Sequence, residues 1–204
     1  MHNTVQKYKD IISAINRKIE EQKIFLTPKV IAVSKSFKLE KILPLIEYGH
    51  LDYGENKVQE AIDKWSAIKL KKKNIKLHLI GKLQTNKVKQ AVKLFDYIHS
   101  VDSIKLAKKI ADEQEKQEKN IKIFIQINIG NEDQKSGAKV DDLNDLINFS
   151  KKLKLNIIGL MCIPPVNEEP DKYFKEIKLL NNKFNLPEIS MGMSSDYLKA
   201  VENH

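Results

Sequence analysis

The strict alternation of two hydrophobic periods is the feature that most constrains how this chain can fold. Seven short runs rich in β-branched residues are typical of buried parallel strands, and they cover Lys29–Ser34, Leu51–Tyr53, Lys76–Ile80, Tyr97–Ser100, Ile121–Asn128, Asn156–Met161 and Glu188–Met191. Between them apolar residues recur every three or four positions, which predicts helices over Leu39–Tyr48, Lys57–Ile68, Asn86–Phe95, Ser103–Gln117, Asp141–Leu153 and Asp171–Phe184. A further helix, Thr4–Gln22, is predicted before the first strand. This alternation predicts an α/β fold.

Two α/β architectures fit the pattern, an open doubly wound sheet and a (β/α)8 barrel. The glycine-rich phosphate loop of the open class is absent after the first strand, where the chain reads Val33-Ser34-Lys35-Ser36. Polar or small residues instead follow strand after strand, namely Lys35, Glu55, Asn56, Gly81, Asp102, Asn128 and Ser194. A barrel builds its site in this way on its C-terminal face. We therefore expect a (β/α)8 TIM-type barrel with an extra N-terminal helix, and with its eighth strand missing from this chain.

Length and composition place further bounds. The 204 residues suffice for one substantial core, so we expect a single barrel domain over residues 1–204. No apolar run approaches the roughly 18 residues of a membrane span, and the N-terminus lacks the pattern of a signal peptide. The single cysteine, Cys162, fits a reducing compartment. We expect a cytoplasmic protein without membrane association.

The net charge of +9 raises the possibility of nucleic-acid binding. Nucleic-acid readers favour arginine for its planar fork, but Arg17 is the only arginine in the chain. The lysines are scattered over the predicted helices, apart from a cluster formed by Lys69 and residues 71–73. This distribution favours a solvated, lysine-rich surface, and a basic RNA-binding protein stays as an alternative.

Two segments have the chemistry of a binding site. Lys35 follows a buried strand, where partial desolvation lowers the pKa of an amine and makes it a nucleophile towards aldehydes; alternatively, it only ends the strand with its ammonium in water. The segment 192–196 follows the seventh strand and predicts either an anion site or a simple helix N-cap.

Other reactive residue types lack such a context. His78 lies inside the third strand, where a hydrogen-bonded interior histidine is more common than a catalyst. The five histidines and one cysteine show no metal-ligand spacing, so no metal is expected. No hydrolytic triad can be argued, no catalytic residue is assigned, and Cys162 is predicted to be a packed thiol.

Six motifs occur in order along nearly the whole chain. They are Ala-Val-Ser-Lys at 32–35, Gly-Glu-Asn-Lys-Val-Gln-Glu at 54–60, His-Leu-Ile-Gly-Lys-Leu-Gln-Thr-Asn-Lys at 78–87, Gln-Ile-Asn at 126–128 with Lys-Ser-Gly at 135–137, Gly-Leu-Met at 159–161 with Pro164, and Ser-Met-Gly-Met-Ser-Ser-Asp at 190–196. In these motifs the chain resembles the pyridoxal-phosphate homeostasis protein family (the YggS/PROSC group). That family is similar to the barrel domain of alanine racemase and has an extra N-terminal helix.

The resemblance implies specific roles. Lys35 would hold pyridoxal 5′-phosphate as a Schiff base, Ser194 would contact its phosphate, Asn56 would flank the coenzyme, and His78 would support the barrel interior beneath it. Lys135 would be a second lysine on a mobile loop. The implied function is a carrier or buffer in intracellular pyridoxal-phosphate homeostasis. Apo forms of pyridoxal-phosphate enzymes would be its partners, and the chain would be a monomer.

The resemblance also has a departure. Family members continue past the seventh strand with a segment that includes an Arg-Ile-Gly strand, whereas this chain ends at His204. With Arg17 the only arginine, we expect no arginine partner for the pyridine nitrogen. We also expect no second, β-rich domain of the kind that supplies the opposing base in alanine racemases. The chain is therefore predicted not to be an enzyme, with a minor amino-acid racemase or lyase as the alternative.

Overall fold

The computed structural model describes residues 3–132, 134 and 136–203. Its seven parallel strands form one sheet in sequence order: β1 (Ala32–Val33), β2 (Asp52–Glu55), β3 (Lys76–Leu79), β4 (Tyr97–Val101), β5 (Lys122–Ile127), β6 (Asn156–Cys162) and β7 (Glu188–Ser190). The helices are α1 (Asn3–Gln22), α2 (Leu39–Glu47), α3 (Val58–Lys71), α4 (Val88–Leu94), α5 (Ile104–Gln117), α6 (Leu143–Lys152), α7 (Asp171–Lys183) and α8 (Tyr197–Glu202). A short 3-10 helix, Thr85–Lys87, precedes α4. The predicted barrel-type α/β fold with an extra N-terminal helix is confirmed.

The sheet curls around a filled interior. His99 on β4 and Ser190 on β7 are joined by a hydrogen bond of 2.8 Å, although two other strands lie between them in the sheet. Tyr97, Phe124 and Met161 pack together in a second, smaller apolar cluster. On the outer face, the main core lies between the strands and the helices, and it includes the fully buried Trp65. These two layers are the arrangement of a barrel.

The two edge strands are less buried than the sequence predicts. Lys29–Ser34 was expected to be one buried strand, but only Ala32 and Val33 pair with β2, and Val33 is 42% exposed. All three residues of β7 are half-buried. The reason is that, among the described residues, β1 and β7 each have one neighbouring strand, whereas β2 to β6 have two.

Helix α1 packs on the outer side of the opening between the edge strands. It contacts α2, which follows β1, and α8, which follows β7. The ion pair between Lys18 and Glu202, 2.8 Å long, joins α1 to α8. Because all the strands are parallel, the residues that follow β1 and β7 face each other across this opening at the C-terminal end of the barrel.

The N-termini of α5 and α6 differ in their capping. Ser103 caps α5, accepting a hydrogen bond from the Leu106 N–H. Asp142 precedes α6, but its side chain makes no capping bond, because its own backbone is already helical. No helix of the described residues is long and apolar enough to cross a membrane.

Candidate functional site

Lys35 lies in the turn that ends β1, at the C-terminal mouth of the barrel. The Ser34 N–H donates to the Gly54 carbonyl at 2.8 Å, and the Phe37 N–H donates to the Ser34 carbonyl at 3.2 Å. Ser36, in the middle of this turn, has a φ of 62°. Lys35 is exposed, so the prediction that the strand partly desolvates its amine is wrong. The cause is the edge position of β1, which leaves one side of the turn open to solvent.

Apolar side chains of β1 and of the end of β3 surround Gly54 on β2, beside the turn that holds Lys35. A methyl group placed on Gly54 would lie 3.0 Å from Cγ2 of Ile31, 3.2 Å from Cδ1 of Ile80 and 3.4 Å from Cγ2 of Val33. Ile31 and Val33 therefore share the face of Gly54, and the turn that contains Lys35 follows Val33. Val33 and Ile80 thus make an apolar surface over Gly54.

Asn56 follows β2 directly, on the strand next to Lys35. A methyl group on Gly81 would lie 2.4 Å from the Asn56 carbonyl oxygen, closer than any real contact. The absence of a side chain at Gly81 thus lets the ends of β2 and β3 approach, and this approach sets the position of Asn56. The half-buried Asn56 and the exposed Lys35 lie at neighbouring strand ends, as the sequence predicts.

Ser194 lies in the turn after β7, across the opening from Lys35. The following helix begins only at Tyr197, and its N-cap position is Asp196, whose carboxylate accepts a hydrogen bond from the Met193 N–H. Ser194 is therefore not the N-cap of α8; Asp196, in the same segment 192–196, occupies that position without a capping hydrogen bond from its side chain. The residue is exposed, and its hydroxyl has no hydrogen-bond partner among residues 3–132, 134 and 136–203.

His78 belongs to a chain of four side chains inside the barrel rather than to the mouth itself. Its Nε2 lies 3.0 Å from Oδ1 of Asp52, and its Nδ1 lies 2.9 Å from Nε2 of His99. Nδ1 of His99 lies 2.8 Å from Oγ of Ser190. The ring of His78 stacks on that of Tyr97 at 4.1 Å. We name this Asp52–His78–His99–Ser190 series the interior chain; it places His78 below the mouth.

Burial controls the protonation of the interior chain. It lowers the pKa of His99 well below the usual range, and the nearby charges of His78 and Lys29 add to this effect. Burial also lowers the pKa of His78, against the opposing influence of Asp52. Burial alone would raise the pKa of Asp52, but the hydrogen bond and charge of His78, with Lys29, lower it overall. Near neutral pH the chain therefore holds a carboxylate and two neutral imidazoles.

Sequence reasoning missed Asp52, His99 and Ser190 as members of this chain. The spacing of Tyr97 and His99, two residues apart on one strand, was a usable sign that His99 shares the inward face. The contact with Ser190 had no such sign, because it joins residues 91 positions apart. A buried ion pair between Glu55 and Lys64, 2.9 Å long beside Ser34, was also missed.

The residues at the mouth suit a planar ligand with an aldehyde and an anionic group. They offer a primary amine, an amide, a free hydroxyl and an apolar surface, in a chain of net charge +9. No three metal-ligating side chains come together in the described part of the chain. Burial raises the pKa of the Cys162 thiol to about 12, as fits a packed thiol. Lys135, the predicted second lysine, lies outside the described residues.

Sequence comparison connects this chain with two named groups. The family "Alanine racemase, N-terminal domain" matches residues 11–204. A pyridoxal phosphate homeostasis protein of Aquifex aeolicus is 35% identical over 184 residues, which are 85% of this chain and 80% of that protein. The protein of the same name from Vibrio alginolyticus is also 35% identical, over 99% of this chain and 92% of its own.

Solved structures agree with the fold. PipY of Synechococcus elongatus with pyridoxal phosphate bound is 32% identical, has a TM-score of 0.81, and covers 93% of each chain. PipY without the cofactor gives a TM-score of 0.80, over 93% of this chain and 94% of its own. An alanine racemase of Clostridium difficile is 15% identical with a TM-score of 0.58, over 85% of this chain and 46% of its own. That last likeness concerns the fold alone.

Proposed function

This chain belongs to the pyridoxal phosphate homeostasis protein family, and from that premise we propose that it binds pyridoxal 5′-phosphate through a Schiff base on Lys35. The observation that carries the proposal is the position of Lys35 at the barrel mouth, beside Asn56 and across the opening from Ser194. When bound, the cofactor supplies an aldehyde that condenses reversibly with a primary amine. Such a bond suits storage and release.

The other site residues take supporting roles in this proposal. Asn56 flanks the ligand from the next strand end, and the exposed Ser194 hydroxyl donates to the phosphate. His78 acts from below, by fixing the interior under the mouth. Its ring nitrogens already face Asp52 and His99, so it supports the ligand through packing rather than through a free donor.

We propose that residues 1–204 act as one barrel-shaped carrier or buffer in the cytoplasm, without turnover. Support comes from the interior chain, in which both ring nitrogens of His78 and of His99 face a partner. Neither histidine is thus free to serve as a general base for a substrate. The proposed recipients are apo forms of pyridoxal-phosphate enzymes, and the proposed state is a monomer.

The attachment is tested by borohydride reduction and peptide mapping. The protein is incubated with pyridoxal phosphate, reduced, digested and mapped. We expect the label on Lys35, and its loss in Lys35→Ala. Lys38→Ala is the matched control, because Lys38 is exposed three residues away and should leave labelling intact. A label found mainly on Lys38, or retained in Lys35→Ala, contradicts the assignment.

Function is tested by two further measurements. Transfer to an apo-enzyme should restore its activity. Incubation with alanine enantiomers should give no racemisation, and incubation with serine, which carries a β-hydroxyl as leaving group, should give no elimination products. Amino-acid turnover would favour the racemase or lyase alternative. Retention of RNA that falls steeply with salt would favour the basic RNA-binding alternative.

A further inference from the structure

Ser34, the residue immediately before Lys35, is held at every one of its polar groups. Its N–H donates to the Gly54 carbonyl at 2.8 Å. Its hydroxyl donates to Oε1 of Glu55 at 2.7 Å, and its carbonyl accepts from Nζ of Lys64 at 2.7 Å. Longer backbone contacts add to these, from the Phe37 N–H to the carbonyl at 3.2 Å and from the hydroxyl to the Gly54 carbonyl at 3.3 Å. The two shortest bonds come from one carboxylate and one ammonium on neighbouring elements, β2 and α3.

The carboxylate and the ammonium form a buried ion pair. Glu55 is 0% exposed, the Lys64 side chain is 12% exposed, and Nζ lies 2.9 Å from Oε1. The same Oε1 also accepts from Nε1 of Trp65 at 2.9 Å. Oε1 of Glu55 thus accepts three hydrogen bonds, while Oε2 of Glu55 is buried without a hydrogen-bond partner among the described residues.

Such an arrangement is a poor source of stability. Removing two charges from water carries a desolvation penalty that their attraction often fails to offset, and a buried unpaired oxygen adds to the cost. Well-packed apolar side chains could join α3 to β2 at a lower cost in free energy. Apolar side chains, however, could not form hydrogen bonds with both the hydroxyl and the carbonyl of Ser34.

The strand that carries Lys35 needs this support. β1 has two residues and one neighbouring strand among the described residues, so its own hydrogen bonds fix its end weakly. A reacting group must be held to within roughly 0.5 Å of its working position. We infer that Glu55 and Lys64 are positioning residues, which fix Ser34 and thereby direct the Lys35 amine. This inference rests on the proposed function.

Helix α3 offers a matched control. Lys69 donates to the Leu94 carbonyl at 2.9 Å and pairs with Oδ2 of Asp96 at 2.6 Å. It therefore repeats the chemistry of Lys64, an ammonium on a carboxylate and on a backbone carbonyl, but at a site remote from β1. Lys64→Met and Lys69→Met remove the same kind of bond from the same helix.

The experiment compares the two variants and the wild-type protein by three readouts. These are melting temperature, affinity for pyridoxal phosphate, and the rate at which pyridoxal with borohydride labels Lys35. Pyridoxal lacks the phosphate, so it separates the amine from the anion site. We expect Lys64→Met to lower the affinity and the labelling rate by about tenfold or more. Lys69→Met should lower the melting temperature but change the affinity and the labelling rate little. Lys64→Arg should bind and label better than Lys64→Met, though less well than the wild-type protein.

The outcomes distinguish a failure of this inference from a failure of the proposed function. Equal labelling of Lys35 in Lys64→Met and the wild-type protein overturns the inference. So does an equal loss in Lys64→Met and Lys69→Met, which would show a general effect of stability. If Lys64→Met does not fold, the isosteric Glu55→Gln decides by the same readouts, and unchanged labelling again overturns the inference. A wild-type protein that takes no label on Lys35 refutes the proposed function instead.

Discussion

Nδ1 of His78 and Nε2 of His99 lie 2.9 Å apart in the interior of the barrel. A hydrogen bond of this length between two neutral imidazoles requires one nitrogen to donate and the other to accept. The lowered pKa of Asp52 keeps its carboxylate ionised, so Nε2 of His78 must carry the proton that faces it. Nδ1 of His78 is then an acceptor, and every later bond in the interior chain follows from that assignment.

The first prediction is that His78 and His99 both occupy the Nε2–H tautomer. His99 donates from Nε2 to His78 and accepts at Nδ1 from the Ser190 hydroxyl, which lies 2.8 Å away. Long-range ¹⁵N–¹H correlation spectra at neutral pH should show an unprotonated Nδ1 in both rings. A protonated Nδ1 on either ring would reverse the direction of the chain and contradict the ionised Asp52.

The second prediction concerns stability against pH. Because burial lowers the pKa of His78 and of His99 below the value of 6.5, the unfolded chain binds more protons than the folded protein as the pH falls below that value. The free energy of unfolding should therefore fall on acidification below about pH 6.5. Each histidine contributes at most about 1.4 kcal/mol per pH unit. Denaturant unfolding at a series of pH values measures this slope.

Two variants test whether His99 causes the pH dependence of the free energy of unfolding. His99→Gln removes one titrating group, so its free energy of unfolding should depend less on pH between about 6.5 and 5. Ser190→Ala removes the neighbouring hydroxyl but leaves both imidazoles, so its slope should stay close to that of the wild-type protein. Equal slopes in His99→Gln and the wild-type protein would show that His99 does not contribute.

The positions of the elements were predictable because each depends on its own sequence. The run Ile121–Asn128 predicted β5, which spans Lys122–Ile127, and the helical period of Thr4–Gln22 predicted α1, which spans Asn3–Gln22. The strand-end rule also found Lys35 and Asn56. The exposure of Lys35 was not predictable in this way, because it depends on which strands are neighbours in the sheet.

The other contacts of the site could not be predicted from the sequence, because they depend on how the sheet curves. The bond between His99 and Ser190 forms only because the sheet brings β4 and β7 together across the interior. The contact of Lys64 with Ser34 likewise joins residues 30 positions apart on different elements. A hydrophobic period reports which face of an element is buried, but not which side chains meet there.

The third prediction concerns Gly81→Ala. Its methyl group would lie 2.4 Å from the Asn56 carbonyl oxygen, so the ends of β2 and β3 must separate. Overpacking of this kind costs about 1–3 kcal/mol, and the displaced Asn56 should weaken the binding of pyridoxal phosphate. Melting temperature and a cofactor titration measure the two effects.

Gly49→Ala is the control for Gly81→Ala. Gly49 has a φ of 101°, a methyl group placed on it would have nothing within 4 Å, and it precedes β2 at the opposite end of the barrel. Backbone strain should cost about 1–3 kcal/mol there without moving Asn56. If Gly81→Ala and Gly49→Ala lose the same stability and weaken the binding of pyridoxal phosphate equally, the position of Asn56 does not determine the affinity.

The last prediction concerns Ser194→Ala. The exposed Ser194 hydroxyl bonds to no described residue and does not cap α8, so its removal should leave the melting temperature unchanged. If it donates to the phosphate, the loss of a hydrogen bond to a charged group, worth about 1.5–3 kcal/mol, should weaken the binding of pyridoxal phosphate by about tenfold or more. Affinity for pyridoxal should not change, since pyridoxal has no phosphate. Ser195→Ala is the matched control, because Ser195 is also exposed and lies one residue further along, and this variant should bind as the wild-type protein does. Equal affinity of Ser194→Ala and the wild-type protein for pyridoxal phosphate would remove Ser194 from the site.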